Sequence, residues 1–256
     1  MSKWAVVTGA TAGIGESFTR ILAHDGFNIV LVARDLERMK ERAAHLESQF
    51  KVQTAIIQAD LATNDGCAKV EKYLSENQIE VLINNAGFGI NKAFSVSDVD
   101  AEQQLLDVLV RTPMRLMHTV IPQMKERNSG SIINVSSVAG WIAGGTYSAS
   151  KSYLTVLSES LHTEMSGTGV KISALCPGFT RTEFHERGRI RMNGLPEFMW
   201  LSADRVVLQA WKENPNGKVL SVPGWQYLIL STVSRFGPRP LVRKLGMNVR
   251  VRQRQK

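Results

Sequence analysis

The residues of this sequence with the clearest chemical potential are a tyrosine and a lysine four positions apart. Tyr147 and Lys151 belong to Tyr147-Ser148-Ala149-Ser150-Lys151, where a helix is predicted to follow a strand. Residues four apart share one helix face. A lysine ammonium beside a phenol lowers the phenol pKa toward neutrality, so the phenol can exchange a proton with a carbonyl or alcohol. The same spacing also occurs in exposed tyrosine–lysine pairs.

Two serines precede this pair. Ser136 and Ser137 end a predicted strand, at the edge where open α/β sheets bind ligands. A hydroxyl at this edge can hold a substrate oxygen, or it can cap the strand end or the next turn. We expect the capping role for Ser136 and the catalytic role for Ser137.

A glycine-rich turn lies at the other end of the sequence. Thr8-Gly9-Ala10-Thr11-Ala12-Gly13-Ile14-Gly15 follows the first predicted strand and leads into a predicted helix. In this context glycines allow a tight turn and a close approach to a pyrophosphate, which the helix N-terminus then faces. A purely structural turn is the alternative, since a glycine-rich turn alone is weak evidence.

The end of the second predicted strand bears on which dinucleotide would bind. An acidic residue there binds the adenosine ribose of NAD, and a basic one accepts the 2′-phosphate of NADP. The sequence reads Val32-Ala33-Arg34-Asp35. Because a guanidinium makes paired bonds to phosphate, Arg34 favours NADP. Asp35 complicates this interpretation, and Arg34 could instead pair with nearby carboxylates.

The elements that position these residues form one repeating pattern. Short apolar runs alternate with stretches of helical spacing, which predicts a single-domain α/β Rossmann fold, a doubly wound parallel sheet with helices on both faces. Seven strands are expected, at about 4–8, 28–33, 52–59, 79–84, 130–136, 169–175 and 217–222. Pro113 is expected to kink a long helix over about 100–127.

Composition limits the class of protein. Of 256 residues, 43% are hydrophobic and 28 are Gly or Pro, which excludes collagen-like and largely disordered chains. The two cysteines and five histidines show no metal-binding spacing, so no metal is expected. Since no signal-peptide pattern or transmembrane-length run is visible, we expect a cytoplasmic location.

Taken together, the motifs resemble those of the short-chain dehydrogenase/reductase family, in particular bacterial NADP-dependent 3-oxoacyl and other ketone reductases. The resemblance covers about residues 3–182. It rests on the turn at 8–15, Asp60-Leu61, Asn84-Asn85-Ala86-Gly87, Ser137, the Tyr147–Lys151 pair, and Pro177-Gly178-Phe179-Thr180-Arg181-Thr182. Each motif alone has a structural alternative, but their occurrence together in this order is highly specific.

The resemblance implies a role for each matching residue. Ser137, Tyr147 and Lys151 would be catalytic, and Lys151 would also bind the nicotinamide ribose. Asp60 would contact adenine, and Asn84 to Gly87 would support the central sheet and the cofactor. The implied NADP(H)-binding residues are Gly9, Thr11, Gly13, Ile14, Gly15, Arg34, Asp60, Leu61, Asn85, Ala86, Gly87, Tyr147, Lys151, Pro177, Gly178, Thr180 and Thr182.

The sequence departs from the family pattern at two points. Leu109 stands where members usually carry an asparagine that helps hold a proton-relay water near the lysine. A leucine side chain cannot bind water, so the relay must use backbone, another residue or bulk solvent, or the enzyme is slow. In addition, the loop from Gly140 to Thr146 is shorter than usual, which alters the adjacent wall of the site.

The family's variable substrate region corresponds to a lid at about 183–200. Its apolar side chains would suit a lipid-like ketone more than a sugar, or they would form the lid's own small core. The candidates are Trp141, Phe179, Phe184, Met192, Leu195, Phe198, Met199 and Trp200.

The C-terminal stretch differs in charge from the rest of the chain. We place a domain at 1–224 and a basic extension at 225–256. Residues 214–256 hold nine basic and no acidic residues, whereas the part before them is nearly neutral. This extension could contact an anionic inner-membrane surface, an acidic acyl carrier or a CoA phosphate, or be a packed helix with a solvated tail. No nucleic-acid motif is visible.

These observations lead to one expected function and two alternatives. We expect an NADP(H)-dependent oxidoreductase acting on a lipid-like or 3-oxoacyl ketone. A homodimer or homotetramer is expected by analogy. The alternatives are an NAD-dependent alcohol or hydroxysteroid dehydrogenase, and a non-catalytic dinucleotide-binding protein, which Leu109 and the basic extension would suit.

Overall fold

The computed structural model describes residues 3–184, 195–240 and 242–243. Its strands are β1 Trp4–Thr8, β2 Asn28–Ala33, β3 Thr54–Gln58, β4 Val81–Asn84, β5 Gly130–Val135, β6 Val170–Leu175, β7 Thr180–Arg181, β8 Leu201–Ser202 and β9 Leu220–Ser221. Its α-helices are α1 Gly13–His24, α2 Leu36–Phe50, α3 Asn64–Glu76, α4 Val99–Leu106, α5 Thr112–Glu126, α6 Thr146–Glu164, α7 Ala203–Glu213 and α8 Trp225–Phe236.

The main sheet is parallel, with the strand order β3-β2-β1-β4-β5-β6-β9. The chain reverses its direction of travel across the sheet between β1 and β4, which is where sheets of this kind bind ligands. Each of the seven predicted strands is present. The last is shorter than expected, because β9 pairs with β6 over only two residues. Strands β7 and β8 form a separate short pair.

Helices cover both faces of the sheet, and each face has its own apolar core. On one face, Phe18 of α1 and Val206 of α7 pack in the same core cluster as Val7 of β1. On the other face, Val70 of α3 and Leu116 of α5 share a cluster with Val6, the neighbour of Val7 in β1. Successive strand residues point to opposite faces, so continuous apolar strands supply both cores. The structure thus confirms the predicted Rossmann-like α/β fold.

The region around Pro113 differs from the predicted simple kink. Between α4 and α5 the chain forms a π-helical segment, Asp107–Arg111, in which the Thr112 amide donates to the Asp107 carbonyl five residues earlier. Pro113 follows at the start of α5, where a missing N–H is tolerated. The wider turn, rather than a break at the proline, takes up the irregularity, and it contains Leu109.

Candidate active site

The tyrosine–lysine pair is held between the end of β5 and the start of α6. Tyr147 is the second residue of α6, and Lys151 follows one turn later. Lys151 is buried, and its Nζ donates to the carbonyl of Val135, the last residue of β5, at 2.6 Å. The same nitrogen lies 5.8 Å from the centroid of the Tyr147 ring. The structure therefore brings the two predicted side chains together.

The two serines have different environments. The hydroxyl of Ser137 accepts a hydrogen bond from the Ala139 amide at 3.1 Å and lies close enough to the phenol of Tyr147 to lower its pKa. Ser136 is buried, and its hydroxyl donates to the carbonyl of Lys151 at 2.8 Å. Ser136 has the structural role that we expected, although it bonds α6 rather than the following turn. Ser137 is the serine that reaches the tyrosine.

Burial, rather than the charge of Lys151, has the largest effect on the pKa of the Tyr147 phenol. Removal from water raises the pKa of Tyr147 to about 12, against a smaller lowering effect of the Ser137 hydrogen bond. The expected lowering of the Tyr147 pKa is therefore wrong for the protein without a cofactor. Burial also lowers the pKa of Lys151 to about 8. The phenol is consequently protonated at neutral pH, which is the form that can donate a proton to a carbonyl oxygen.

The glycine-rich turn leaves the N-terminus of α1 open to a ligand. The N-cap residue, Ala12, has no side chain that can cap the helix, so side-chain capping does not satisfy the first amides. A Cβ on Gly15 would lie 2.2 Å from the Gly9 carbonyl oxygen, and Gly9 has a φ of +65°. Only glycines allow this close turn. Unsatisfied amides at a helix N-terminus suit the pyrophosphate of a dinucleotide.

The loop after β4 is fastened to the end of β1. The Thr8 hydroxyl accepts from the amides of Asn85 and Ala86, at 2.9 and 3.0 Å. The Asn85 side chain donates to the Thr8 carbonyl at 2.9 Å. These bonds hold the second Asn of the Asn-Asn-Ala-Gly motif at the point where the sheet reverses, as its implied supporting role requires.

The remaining predicted cofactor residues lie on neighbouring turns. Thr11 is buried and Ile14 is half-buried in the glycine-rich turn, and Asp60 and Leu61 follow β3. The loop that starts at Pro177-Gly178 and contains Thr180 reaches the glycine-rich turn, because a Cβ on Gly13 would lie 2.8 Å from the Thr182 side chain. The predicted set therefore surrounds the carboxyl ends of the central strands.

The structure separates the roles of Arg34 and Asp35 at the end of β2. Asp35 is the N-cap of α2, and its carboxylate accepts from the Arg38 amide at 3.1 Å. The sequence interpretation missed this role, although an aspartate directly before a helix is a capping signal. Arg34 is exposed, and its side chain makes no hydrogen bond or ion pair within the described residues. Its guanidinium is thus available to a phosphate.

The predicted pocket residues fall into two groups. Phe184 lies beside the tyrosine, with its ring centroid 5.9 Å from that of Tyr147. Phe179 contacts the rings of Trp200 and Tyr227, at 6.0 and 6.4 Å. Trp141, Phe179 and Met199 also pack on the core below, whereas Phe198 is exposed and Leu195 half-buried. Met192 lies outside the described residues. Phe184 therefore lies beside the Tyr147 ring, while Phe179 and Met199 pack on the core.

Leu109 lies close to Lys151. A Cβ on Gly87 would lie 2.7 Å from the Leu109 side chain and 3.9 Å from Lys151 Nζ. Leu109 and Lys151 also line a common cavity of about 10 Å³. The leucine thus occupies the neighbourhood in which the relay asparagine was expected.

In the part of the chain that the structure describes, no helix combines the length and the apolar character needed to cross a membrane. Residues 3–184, 195–240 and 242–243 also contain no group of three or more His, Cys, Asp or Glu side chains arranged to hold a metal ion.

Comparison with known proteins shows the family of this chain. The family model for short chain dehydrogenases matches residues 3–192. The chain is 30% identical over 261 residues to very-long-chain 3-oxoacyl-CoA reductase-A of Danio rerio, covering 99% of this chain and 80% of that protein. It is 30% identical over 246 residues to very-long-chain 3-oxoacyl-CoA reductase of Homo sapiens, covering 89% and 78%.

A solved structure resembles the chain over nearly its whole length. The short-chain dehydrogenase from Sphingobium yanoikuyae in complex with NADPH superposes with a TM-score of 0.83 at 30% identity, covering 99% of this chain and 98% of that one. Members of this family bind nicotinamide dinucleotides. The chain is therefore an oxidoreductase of the short-chain dehydrogenase/reductase family.

Proposed function

We propose that this protein reduces a lipid-like ketone of the 3-oxoacyl type, with NADPH as the hydride donor. The observation that carries the proposal is the convergence of Ser137, Tyr147 and Lys151 where β5 meets α6. The ring of Phe184 gives the phenol an apolar neighbour. The two relatives named 3-oxoacyl-CoA reductases support the substrate class.

Each of the three side chains has a defined task in this reaction. When bound, the cofactor supplies the hydride that adds to the carbonyl carbon. Tyr147 donates its proton to the carbonyl oxygen, and Ser137 donates a hydrogen bond to the same oxygen. Lys151, with a pKa of about 8, holds an exchangeable proton behind the phenol near neutral pH. Reduction is the proposed direction because the buried phenol is protonated.

The test is consumption of NADPH with 3-oxoacyl thioesters, aromatic diketones and ketosteroids. Wild type is expected to turn over at least one ketone, and Tyr147→Phe to lose at least about 100-fold in kcat, since general acid catalysis contributes roughly 10²–10⁴-fold. If no ketone is reduced while NADPH still binds, the reductase proposal is wrong and a non-catalytic dinucleotide-binding protein is favoured.

The choice of NADP over NAD rests on Arg34. A paired charge-assisted contact to the 2′-phosphate is worth about 1.5–3 kcal/mol, so Arg34→Asp is expected to raise the KM for NADPH by roughly 10–100-fold and leave that for NADH nearly unchanged. Lys40→Asp makes the same charge change on an exposed part of α2 and serves as the matched control. An equal effect of both substitutions would exclude a specific phosphate contact.

We also propose that the protein forms a homodimer or homotetramer in the cytoplasm. Exposed apolar side chains on α5 and α6, among them Met114, Tyr153 and Val156, are suited to a subunit contact. The two cysteines are free thiols, as expected in a reducing compartment. Analytical ultracentrifugation of wild type and Val156→Glu tests the assembly, and cell fractionation tests the compartment.

A further inference from the structure

Helix α8 carries its apolar residues on the side that faces away from the protein. Its inward side buries Tyr227, Ser231 and Ser234. Five of its six exposed large apolar residues, which we call the α8 face, are Trp225, Leu228, Ile229, Val233 and Phe236; the sixth, Leu230, lies to one side of them. They recur at helical spacing along one side. Trp225 is 67% and Phe236 is 79% exposed. A helix that buries serines and exposes large apolar side chains requires a partner for the exposed side.

The charge around this face indicates the kind of partner. Arg235 lies near the end of α8, next to the exposed ring of Phe236 at 5.6 Å. From residue 237 to 256 the sequence adds seven Lys or Arg residues and no acidic residue. A second copy of this chain would bring another cationic C-terminal sequence and no acidic residue of that stretch to pair with it, so charge gives the two copies no attraction here. An anionic surface with an apolar interior matches both features.

We propose that α8 lies in the plane of an anionic membrane surface, with the α8 face inserted among the lipid chains. A helix of 12 residues is about 18 Å long at 1.5 Å per residue, which suits lying in the interface rather than spanning it. The exposed Arg239 and Arg243, which follow the helix, would contact lipid phosphates.

This placement brings the substrate region to the lipid surface. The Gln226 side chain donates to the carbonyl of Phe198 at 2.9 Å, and the Tyr227 phenol bonds the carbonyl of Met199. The exposed Phe198 ring therefore lies next to α8. A protein docked through the α8 face would present the C-terminal end of the lid, at Phe198 and Met199, directly to lipid.

The test is co-sedimentation of the full-length protein with vesicles of phosphatidylcholine, alone or with 30% phosphatidylglycerol, a proportion of roughly the size found in anionic leaflets. We expect wild type to partition at least about tenfold more strongly onto the anionic vesicles. The triple substitution Leu228→Ser, Ile229→Ser and Phe236→Ser should abolish binding to both kinds of vesicle. Phe94→Ser, also an exposed apolar residue but on another element, should leave partitioning unchanged.

Three outcomes would overturn the proposal. The first is no vesicle binding by wild type. The second is binding that survives the triple substitution and disappears in high salt, which would assign it to the basic residues alone. The third is a dimer without lipid that the triple substitution dissociates, which would assign the face to a second copy. None of these readouts depends on turnover of a ketone.

A second, independent observation concerns a chain of hydrogen bonds beside Lys151. The Ser158 hydroxyl donates to the Leu154 carbonyl at 2.6 Å, so it can only accept from the Asn134 side chain at 2.9 Å. Asn134 then accepts, through its amide oxygen, from the Asn84 side-chain nitrogen at 2.8 Å. This chain fixes the orientation of both amides. The Asn84 amide oxygen is buried and has no partner among the described residues.

The cavity next to Asn84 can supply the missing partner. Asn84 lines the 10 Å³ cavity that also contacts Leu109, Thr112 and Lys151. This volume is about that of one water molecule, and a buried water requires polar neighbours. The unpartnered Asn84 oxygen and the lysine amine meet that requirement, whereas Leu109 cannot.

We infer that Asn84 is a positioning residue that holds a water against Lys151, in place of the asparagine that Leu109 replaces. This inference rests on the proposed reductase function. The water donates one hydrogen to the Asn84 oxygen and accepts one hydrogen bond from Lys151 Nζ. When the ammonium has lost a proton, one proton from solvent passes through this water to the amine in a concerted transfer, so the water is unchanged overall.

Two measurements test this inference. In a high-resolution crystal structure we expect a water within hydrogen-bond distance of both the Asn84 oxygen and Lys151 Nζ. Asn84→Ala is expected to lower kcat by about tenfold and raise the solvent isotope effect, with the KM for NADPH unchanged within about twofold. Adding Leu109→Asn should restore kcat. Asn214→Ala, another buried asparagine outside the site, should leave the isotope effect unchanged.

The outcomes separate this inference from the proposed function. An empty cavity in the crystal structure overturns the inference whether or not any ketone is reduced. A reductase whose Asn84→Ala variant keeps the wild-type isotope effect also overturns it. If no ketone is reduced but the water is present at both atoms, the proposed function fails and the water site stands.

Discussion

Replacing Lys151 with methionine is expected to stabilise the folded protein at neutral pH while removing turnover. Lys151 is buried, and burial lowers its pKa from 10.5 to about 8. At neutral pH the ammonium is therefore present in the folded state at a cost that the unfolded chain does not bear. Methionine has a similar length and no charge, so it removes that cost.

The expected gain follows from the two pKa values. A fall from 10.5 to about 8 corresponds to about 3 kcal/mol at 1.36 kcal/mol for each pKa unit. Loss of the 2.6 Å hydrogen bond to the Val135 carbonyl destabilises the variant by about 1 kcal/mol. The net gain in the free energy of unfolding is about 2 kcal/mol at pH 7 and below.

The gain must depend on pH. Between pH 8 and 10.5 the unfolded lysine still binds a proton that the folded lysine has released, so wild-type stability rises with pH relative to the methionine variant. We expect the advantage of Lys151→Met to shrink across this window, to vanish near pH 10, where the remaining burial cost equals the lost hydrogen bond, and to reverse slightly at pH 10.5. Urea unfolding of both proteins at pH 7, 9 and 10.5 measures it. A variant that is less stable at pH 7, or a difference that does not change with pH, would refute this reasoning.

Three further predictions follow from the site. Gly178→Ala should lower the free energy of unfolding by about 1–3 kcal/mol, because its Cβ would lie 2.0 Å from the Tyr227 ring; calorimetry measures this, and an unchanged melting temperature would contradict it. Asp35→Ala should cost about 1 kcal/mol by removing the cap bond to the Arg38 amide, without altering the NADPH to NADH preference measured by their KM values. Since the pKa of Lys151 is about 8, kcat for reduction should fall as pH rises through that value, and a flat pH profile to pH 10 would exclude this role.

Much of the fold could be predicted because parallel strands buried on both faces are continuously apolar. Seven such runs and their intervening helical stretches were sufficient for the sheet. The end of the last strand was not predictable in this way, because β9 is an edge strand whose length depends on how far β6 extends beside it. The apolar character of residues 217–222 does not show how many of them pair with β6.

The site was predictable where one motif fixes one geometry. A Tyr147–Lys151 spacing on a helix needs no tertiary information. The pKa of Tyr147 was not predictable, because it depends on how completely neighbouring elements exclude water. The orientation of α8 was also hidden, since the usual amphipathic rule would turn Leu228 and Ile229 inward, whereas the protein buries Ser231 and Ser234 instead.

The π-helical segment Asp107–Arg111 also bears on how the length of this chain can change. A π turn contains one residue more than an α turn, so the helix after it is rotated by about 100° relative to an uninterrupted α-helix. Deleting one residue here could close the segment into a regular α-helix without altering either flanking loop. Leu109 would then turn away from Lys151. A deletion in this segment would thus leave the helix regular but would change the side chain that lies beside Lys151.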